Sequence, residues 1–464
     1  MKQYHGPRSW QKKAGENTMN DSDYPITSGK VVIKRRGEKY VIKDTKTGTQ
    51  GKANEDLKDL LLLCDGTRTV KEVAEELSSN FEESFKEVKK KVVKSLEFLE
   101  DLHFLQIQET SGYAPLIIRD ADLEWALDLA YLEVTNSCNL RCIHCYKEAG
   151  EFLDEEIGTQ EWISIIDQLK ELGVMTLAVT GGEPFVRKDL FDILEYAANQ
   201  CIGVNIFTNG TTITEEVVAA LKHINPEKIM VSIDGTRESH EKIRGKNTFE
   251  RTVKGIRLLT ENGFKVRSNT VIYTENIKDL ESVIQMLLDL GVQEMILDRL
   301  ISTGRGKEFE HLIPPLEIGE VVARKCKTFE EKAPQRFELK FSGDIVEGET
   351  PYSFCGIGTS MITVKANGDV ALCPVLGSPE CTAGNVKDNS LRELWEKSGI
   401  FQSFRDCNLD DMVCKTCPHS GECRGGCKAR AFQHYGKVCM PDPWMCAVRG
   451  QEWPDKEYRS MNHK

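Results

Sequence analysis

The spacing of apolar positions along the chain changes character three times. Between Lys30 and about Gln108, two short alternating runs, Val31–Arg35 and Lys39–Lys43, flank Gly37 and predict a β-hairpin. Helical runs follow at Glu55–Cys64, Thr69–Leu77 and Glu82–Leu99, punctuated by Gly66 and by Ser78-Ser79-Asn80, and His103–Ile107 predicts a closing strand. From about Leu129 to Arg299, apolar β-like segments recur at Tyr131–Thr135, Met175–Thr180, Val204–Phe207, Ile229–Ile233, Val266–Ile272 and Glu294–Leu297. Helix-like segments such as Glu161–Leu172 and Asp279–Leu290 lie between most of them. Repeated strand-then-helix units with buried strands predict an α/β fold: a parallel sheet, open or curled into a partial (β/α)6 barrel like that of a TIM fold, with ligands at the C-terminal ends of the strands. After Pro314-Pro315 and a helix through Cys326, the stretch from Cys355 to Cys446 has few long apolar runs and is rich in Gly, Cys and Pro.

These changes divide the chain into six parts. Residues 1–29 are expected to be disordered, 30–110 to form a small winged helix-turn-helix domain, 111–128 a linker, 129–310 the partial barrel, 311–354 a bridging region and 355–464 a Cys-rich domain.

Composition adds one anomaly. The 464 residues include 16 cysteines. The N-terminus carries no apolar signal-like stretch, and the longest purely apolar run, Leu60–Cys64, is too short for a bilayer, so no membrane association is expected. A reducing cytoplasm is the expected compartment, and there dense cysteine points to metal rather than disulfides. The net charge of −12 argues against nucleic acid as a partner, because phosphate binding relies on a positive field.

Cys138, Cys142 and Cys145 follow the first strand of the α/β block with three and then two residues between them. Three thiolates at this spacing can hold three irons of a four-iron cluster and leave the fourth open, whereas a closed site needs a fourth protein ligand. Later strand ends carry Thr180-Gly181-Gly182-Glu183-Pro184, Thr208-Asn209-Gly210 and Ser232-Ile233-Asp234-Gly235, followed by His240 and Arg244. Glycine pairs admit close approach to the backbone, Glu accepts from an ammonium, and Ser, Asp and Asn suit hydroxyls or a carboxylate. Each motif is weak alone, but they recur at successive strand ends.

With these residues the chain resembles the radical S-adenosylmethionine (SAM) enzymes. The resemblance implies that Cys138, Cys142 and Cys145 bind a 4Fe-4S cluster and that Gly181, Gly182, Glu183 and Pro184 hold the SAM amino group. It also assigns Asn209, Ser232, Asp234 and Arg244 to the SAM carboxylate and ribose. His144 stands where the family usually has a larger aromatic. The implied chemistry is reductive cleavage of SAM to a 5′-deoxyadenosyl radical that abstracts hydrogen from the substrate.

Cys355, Gly368 and Cys373, then Cys414-x2-Cys417-x5-Cys423-x3-Cys427 and finally Cys446, resemble the SPASM extension of peptide-modifying members. The resemblance implies two auxiliary 4Fe-4S clusters, three clusters in all. Cys414, Cys417, Cys423 and Cys446 fall to the distal cluster, and Cys355, Cys373 and Cys427 to the one nearer the active site. Where some members supply a further Cys, this chain has Met361, so the nearer cluster is left either with an open iron able to take a substrate thiolate or with a ligand from Cys381, Cys407 or Cys439. Cys64, Cys201 and Cys326 read as inert thiols.

Fused to such an enzyme, the N-terminal domain resembles the precursor-recognition element of ribosomal-peptide maturases of the sactipeptide and ranthipeptide type, which takes a leader peptide as an added strand on its hairpin edge. Lys34-Arg35-Arg36 and Lys89-Lys90-Lys91 would then face an acidic leader. The expectation is a cytoplasmic peptide maturase that forms a thioether from a Cys sulfur to carbon, served by an electron donor such as ferredoxin or flavodoxin. A carbon–carbon or other cross-link is the alternative within the class, and an iron–sulfur DNA-binding redox sensor the alternative outside it. No catalytic acid or base is identified.

Overall fold

The computed structural model describes residues 19–153, 155–331, 337–342, 355–437 and 439–454. The disorder expected for the first eighteen residues, and residues 332–336 and 343–354 of the expected bridging region, lie outside these. Two compact units divide at Asp120/Ala121.

The first unit contains β1 (Tyr24–Thr27), β2 (Val31–Arg36), β3 (Lys39–Asp44), β4 (Gln50–Ala53), α1 (Glu55–Leu63), α2 (Val70–Ser78), α3 (Phe85–Asp101), β5 (Leu105–Gln108) and β6 (Ile117–Ile118). The expected hairpin is β2–β3, and the three helices and closing strand fall where the apolar spacing placed them. Each helix starts at a polar cap: Asn54 accepts from the Leu57 N–H, Thr69 forms a capping box with Glu72, and Ser84 accepts from the Glu87 N–H. Apolar faces of all three helices meet the sheet in one core that includes Ile33, Ile42, Leu60, Val73, Leu96 and Phe104.

Three short strands, β1, β4 and β6, escaped the sequence pattern. Tyr24–Thr27, inside the stretch expected to be disordered, pairs antiparallel with β5. Ile117–Ile118, inside the expected linker, pairs in parallel with β2. The resulting order is β4-β3-β2-β6, so neither edge of the β2–β3 hairpin is free: β4 covers one and β6 the other. Lys34 is also a departure, since it is buried, and that burial holds its ammonium well below the usual lysine range.

The second unit is built on one ten-stranded sheet among the described residues, in the order β13-β12-β11-β10-β9-β8-β7-β14-β15-β16. In chain order its elements are β7 (Leu129–Glu133), α4 (Thr159–Glu171), β8 (Thr176–Thr180), α5 (Leu190–Asn199), β9 (Gly203–Thr208), α6 (Glu215–Ile224) and β10 (Lys228–Ser232), then α7 (Arg237–Arg244), α8 (Phe249–Glu261), β11 (Val266–Ile272), α9 (Leu280–Asp289), β12 (Glu294–Arg299), α10 (Ile318–Glu330) and β13 (Glu338–Phe341). The Cys-rich part adds β14 (Met361–Val364), β15 (Asp369–Ala371), β16 (Thr382–Asn385), α11 (Leu391–Lys397), α12 (Gly399–Arg405), α13 (Ser420–Cys423), α14 (Lys428–Tyr435) and α15 (Pro443–Val448).

The six strands expected of the α/β block are β7 to β12, and each pairs in parallel with the next. The sheet runs beyond them. β13 adds in parallel to β12, and β14 adds in parallel to β7, so the Cys-rich part shares the main sheet instead of standing apart. The sheet is open, with β13 and β16 as its edges. Parallel strands are covered on both faces and read as continuous apolar runs, as Ile229–Val231 does at 0–3 % exposure. Helix faces carrying Trp162, Ile166, Leu194, Leu221, Ile256 and Leu287 close over it.

Candidate functional site

At the C-terminal ends of these strands lies a cavity of about 560 Å³, with side chains drawn from both the α/β part and the Cys-rich part. Its first wall is the loop after β7. Ser137 and Gly150 bridge the base of that loop, the Cys138 N–H donates to the Gly150 carbonyl at 2.9 Å, and the Gly150 N–H donates to Asn136 at 2.9 Å. Cys138, Cys142 and Cys145 all face the cavity.

The Gly181-Gly182 pair packs against the same loop. The Gly182 N–H donates to the Thr135 carbonyl at 2.7 Å and the Glu183 N–H to Ser137 at 2.9 Å, and a side chain on either glycine would collide with those carbonyls. The pair is therefore required by the approach of two protein backbones, a reason the sequence reading did not contain.

The strand-end residues divide into two layers. Gly181, Gly182, Asn209, Ser232 and Arg244 line the cavity, while Glu183, Pro184 and Asp234 are not among its lining residues. Glu183 is fully buried, and its carboxylate accepts from the Thr208 hydroxyl and the Asn209 N–H, each at 2.7 Å. Burial raises it to about 7 against those two donors. Asp234 accepts from the Arg244 guanidinium and, at 2.8 Å, from the Val271 N–H, with His144 3.6 Å away. Burial alone would raise Asp234, but Arg244 and the two neighbouring histidines hold it below the usual carboxylate range. Glu183 and Asp234 thus brace the strand ends from behind. His144 lines the cavity with its Nδ1 buried and unpartnered, and burial holds its ring neutral down to about pH 4.

The opposite wall holds Cys355, Cys373 and Cys427. Two buried groups fix this side. The Asp442 carboxylate accepts from the Cys427 N–H at 3.0 Å and from Arg430 at 2.6 Å, and Arg430 also bonds Asp298 at 2.7 Å. Met361 lines the cavity beside them, its N–H donating to Gly356 at 2.9 Å.

Cys414, Cys417, Cys423 and Cys446 form a separate group whose thiols lie close enough to raise one another electrostatically, with Cys446 pushed by burial and by these neighbours to about 12. Lys428 lies buried between the two groups, its ammonium 3.2 Å from the Met440 carbonyl and within electrostatic reach of Cys355 and Cys414. Cys355, Cys373 and Cys427 thus gather at the cavity, while Cys414, Cys417, Cys423 and Cys446 gather apart from it.

Of the three thiols left as alternatives for a further ligand, Cys407 and Cys439 are joined to each other as a disulfide. Cys381 is buried, free and outside the cavity lining. Cys64 and Cys326 are buried thiols, the latter raised to about 12 by burial, while Cys201 is half-buried.

The donor set fits iron–sulfur clusters. Burial raises Cys138 to about 11 and Cys427 to about 11, so these thiols become good ligands only when a metal supplies the compensating charge. Among the described residues no three metal-capable side chains converge on one ion-sized point. A cubane cluster bonds each thiolate to a different iron, so its ligands ring a volume instead.

Several cavity residues were not singled out from the sequence. Tyr131 and Tyr146 line the space between the two triads, and Lys147 pairs with Glu133 at 2.7 Å beside them, both nearly buried. Arg305 reaches the cysteine loop from beyond β12. Of these, Gly304-Arg305-Gly306 alone left a local mark, two glycines around a charge just after a strand.

Fold and site together define an α/β protein that gathers two cysteine triads around one cavity at the C-terminal ends of its strands. Residues 132–287 match the model of the radical SAM superfamily, and residues 355–418 match SPASM, an iron-sulfur cluster-binding domain. An AdoMet-dependent heme synthase of Methanosarcina barkeri is 30% identical over 68% of this chain and 95% of its own length. The subtilosin biosynthesis protein AlbA of Bacillus subtilis is 27% identical over 83% of this chain and 87% of its own, more of this chain than the second unit alone contains. Among solved structures, Streptococcus suis SuiB bound to its precursor peptide SuiA matches with a TM-score of 0.64 over 88% of this chain and 97% of SuiB, at 15% identity. The chain belongs to the radical SAM superfamily, in the branch that carries a SPASM domain, and uses SAM and 4Fe-4S clusters. Among the described residues no helix is long and apolar enough to cross a membrane.

Proposed function

We propose that this radical SAM enzyme matures a ribosomally made precursor peptide by joining a Cys sulfur to carbon as a thioether. The observation that carries the reading is the shared cavity: the Cys138 triad and the Cys355–Cys373–Cys427 triad face one space, and each offers three thiolates where a closed four-iron site takes four. When bound, SAM and the reduced cluster on the first triad supply a hydrogen-abstracting radical.

The chain's own residues do the rest. Arg244 and Asn209, lining the cavity near the first triad, suit the SAM carboxylate and ribose. Phe207, Val271, Ile296 and Ile357 exclude water from the space between the triads. The second triad leaves a soft coordination position for a substrate sulfur, with Met361 where a fourth thiolate would otherwise stand.

The first unit, read as a winged helix-turn-helix, is the leader-binding element. Since β6 covers β2, the strand-addition edge is assigned to β4, whose outer side pairs with no strand among the described residues. The breadth of the match to AlbA, a protein of bacteriocin biosynthesis, supports a peptide substrate over the tetrapyrrole of the heme synthase.

The test is mass spectrometry of the peptide encoded beside this gene after reaction with reduced enzyme and SAM. The expected product has lost two hydrogens and carries a Cys that resists alkylation. A cross-linked product whose Cys alkylates freely would exclude the thioether, and the absence of any peptide product would exclude maturation.

A further inference from the structure

The segment that follows β12 crosses over the three-cysteine loop and holds it from above. The Arg305 N–H donates to the Cys145 carbonyl at 3.0 Å. Its side chain spans the loop: Nε donates to the Cys142 carbonyl at 2.9 Å and Nη1 to the Ala149 carbonyl at 2.9 Å. Gly304, at φ +56°, lies so close to the Cys145 and Tyr146 carbonyls that a Cβ there could not be accommodated. The loop is thus closed at its base by the Ser137–Gly150 bridge and at its crown by one residue about 160 positions away.

We propose that Arg305 is a positioning residue for the cluster on Cys138, Cys142 and Cys145: its guanidinium fork fixes the loop carbonyls that set the directions of the three thiolates, and its charge stands beside the centre that must accept an electron. Three carbonyls, from Cys142, Cys145 and Ala149, end on this residue. Without its side chain, the Ala149 carbonyl would turn to water at the cavity wall, where Arg305 is part of the lining, and the Cys142 carbonyl would keep only the Cys145 N–H at 3.3 Å. A guanidinium suits the task because its rigid donors reach two acceptors at once, which an ammonium on a flexible stem does not reproduce. A fixed positive charge beside a cluster favours the reduced state, because reduction adds negative charge.

The proposal rests on radical SAM membership and not on the peptide assignment. Its readouts need only enzyme, reductant and SAM, so its failure and a failure of the thioether reading are separable.

In reconstituted Arg305→Met, the reduced-cluster EPR signal that responds to SAM is expected to fall by about tenfold or more, the size typical of removing a group that orients metal ligands. The auxiliary-cluster signals should persist, and the midpoint potential of whatever SAM-responsive cluster remains should move negative. Arg305→Lys keeps the charge but not the fork, and should recover the potential without recovering occupancy. Gly304→Ala attacks the same crossing through the backbone and should lower occupancy if the Met variant does not fold. Parent-level occupancy and an unchanged potential in Arg305→Met would overturn the proposal. Full recovery of occupancy in Arg305→Lys would overturn the role of the fork.

Discussion

The two cysteine triads that face the cavity are built in opposite ways. Cys138, Cys142 and Cys145 come from one loop, closed by the Ser137–Gly150 bridge and by Arg305. Cys355, Cys373 and Cys427 come from three separate segments, brought together by the strands β14 and β15 and by the Asp442–Arg430–Asp298 chain, of which Asp442 and Arg430 are buried. Local spacing can specify the first site almost unaided, whereas the second exists only once the domain has folded.

The sharpest division between the triads comes from removing a ligand of the first. Cys138→Ala should abolish 5′-deoxyadenosine formation and lower iron by about four atoms per chain, while the auxiliary clusters stay. Residual SAM cleavage at the parent rate would dissolve the distinction.

Next comes closure of the second triad. Met361→Cys adds a thiol to the cavity that Cys355 lines and should leave SAM cleavage near the parent rate while suppressing cross-linked product, read as the ratio of 5′-deoxyadenosine to product. Equal loss of both would mean that the second triad does not act separately.

Asp442 tests how far the dispersed site relies on its buried ion pairs. Asp442 is fully buried and receives bonds from Arg430, the Cys427 N–H and the Trp444 N–H. Asp442→Ala should cost about 3–5 kcal/mol by leaving Arg430 short of a partner. Chemical denaturation followed by auxiliary-cluster absorbance reads this, with little change expected at the first triad.

The smallest effect concerns His240, whose Nδ1 accepts the Asp234 N–H behind the first site. Burial, together with Arg244, lowers it from 6.5 to about 4 in spite of Asp234, with His144 also nearby. The unfolded chain therefore binds the proton first, and the stability this group contributes above pH 6.5 is lost as pH falls toward 4. By pH 5 the loss should be about 2 kcal/mol relative to His240→Gln, measured as the difference between their denaturation curves.

The same contrast explains what could be read from the chain. The helices of the first unit and the six strands β7–β12 announced themselves because their apolar periods extend over several residues, as in Val70–Leu77 or Ile229–Val231. Tyr24–Thr27 and Ile117–Ile118 did not, since a strand of two to four residues has no measurable period and takes its conformation from the partner it pairs with. β14 was equally hidden, and with it the fact that the Cys-rich part joins the main sheet.

At the site, fixed spacing exposed the Cys138 loop, and family pattern sorted the seven later cysteines. The roles of Glu183 and Asp234 behind the lining, the pairing of Cys407 with Cys439 and the Arg305 crossing rest on contacts between residues far apart in sequence. No local motif encodes these. Gly181-Gly182 was noticed for ligand approach, yet the structure adds a different need, the close packing of two loops.

The central claim is that the second triad offers a coordination position to a substrate sulfur. Its most direct test uses the Cys138→Ala protein, in which only the auxiliary clusters remain, and records their reduced EPR spectrum as precursor peptide is added. The nearer cluster's signal should change with the Cys-containing peptide and stay unchanged when that Cys is replaced by Ala. Identical spectra with both peptides, at concentrations where each is bound, would contradict it.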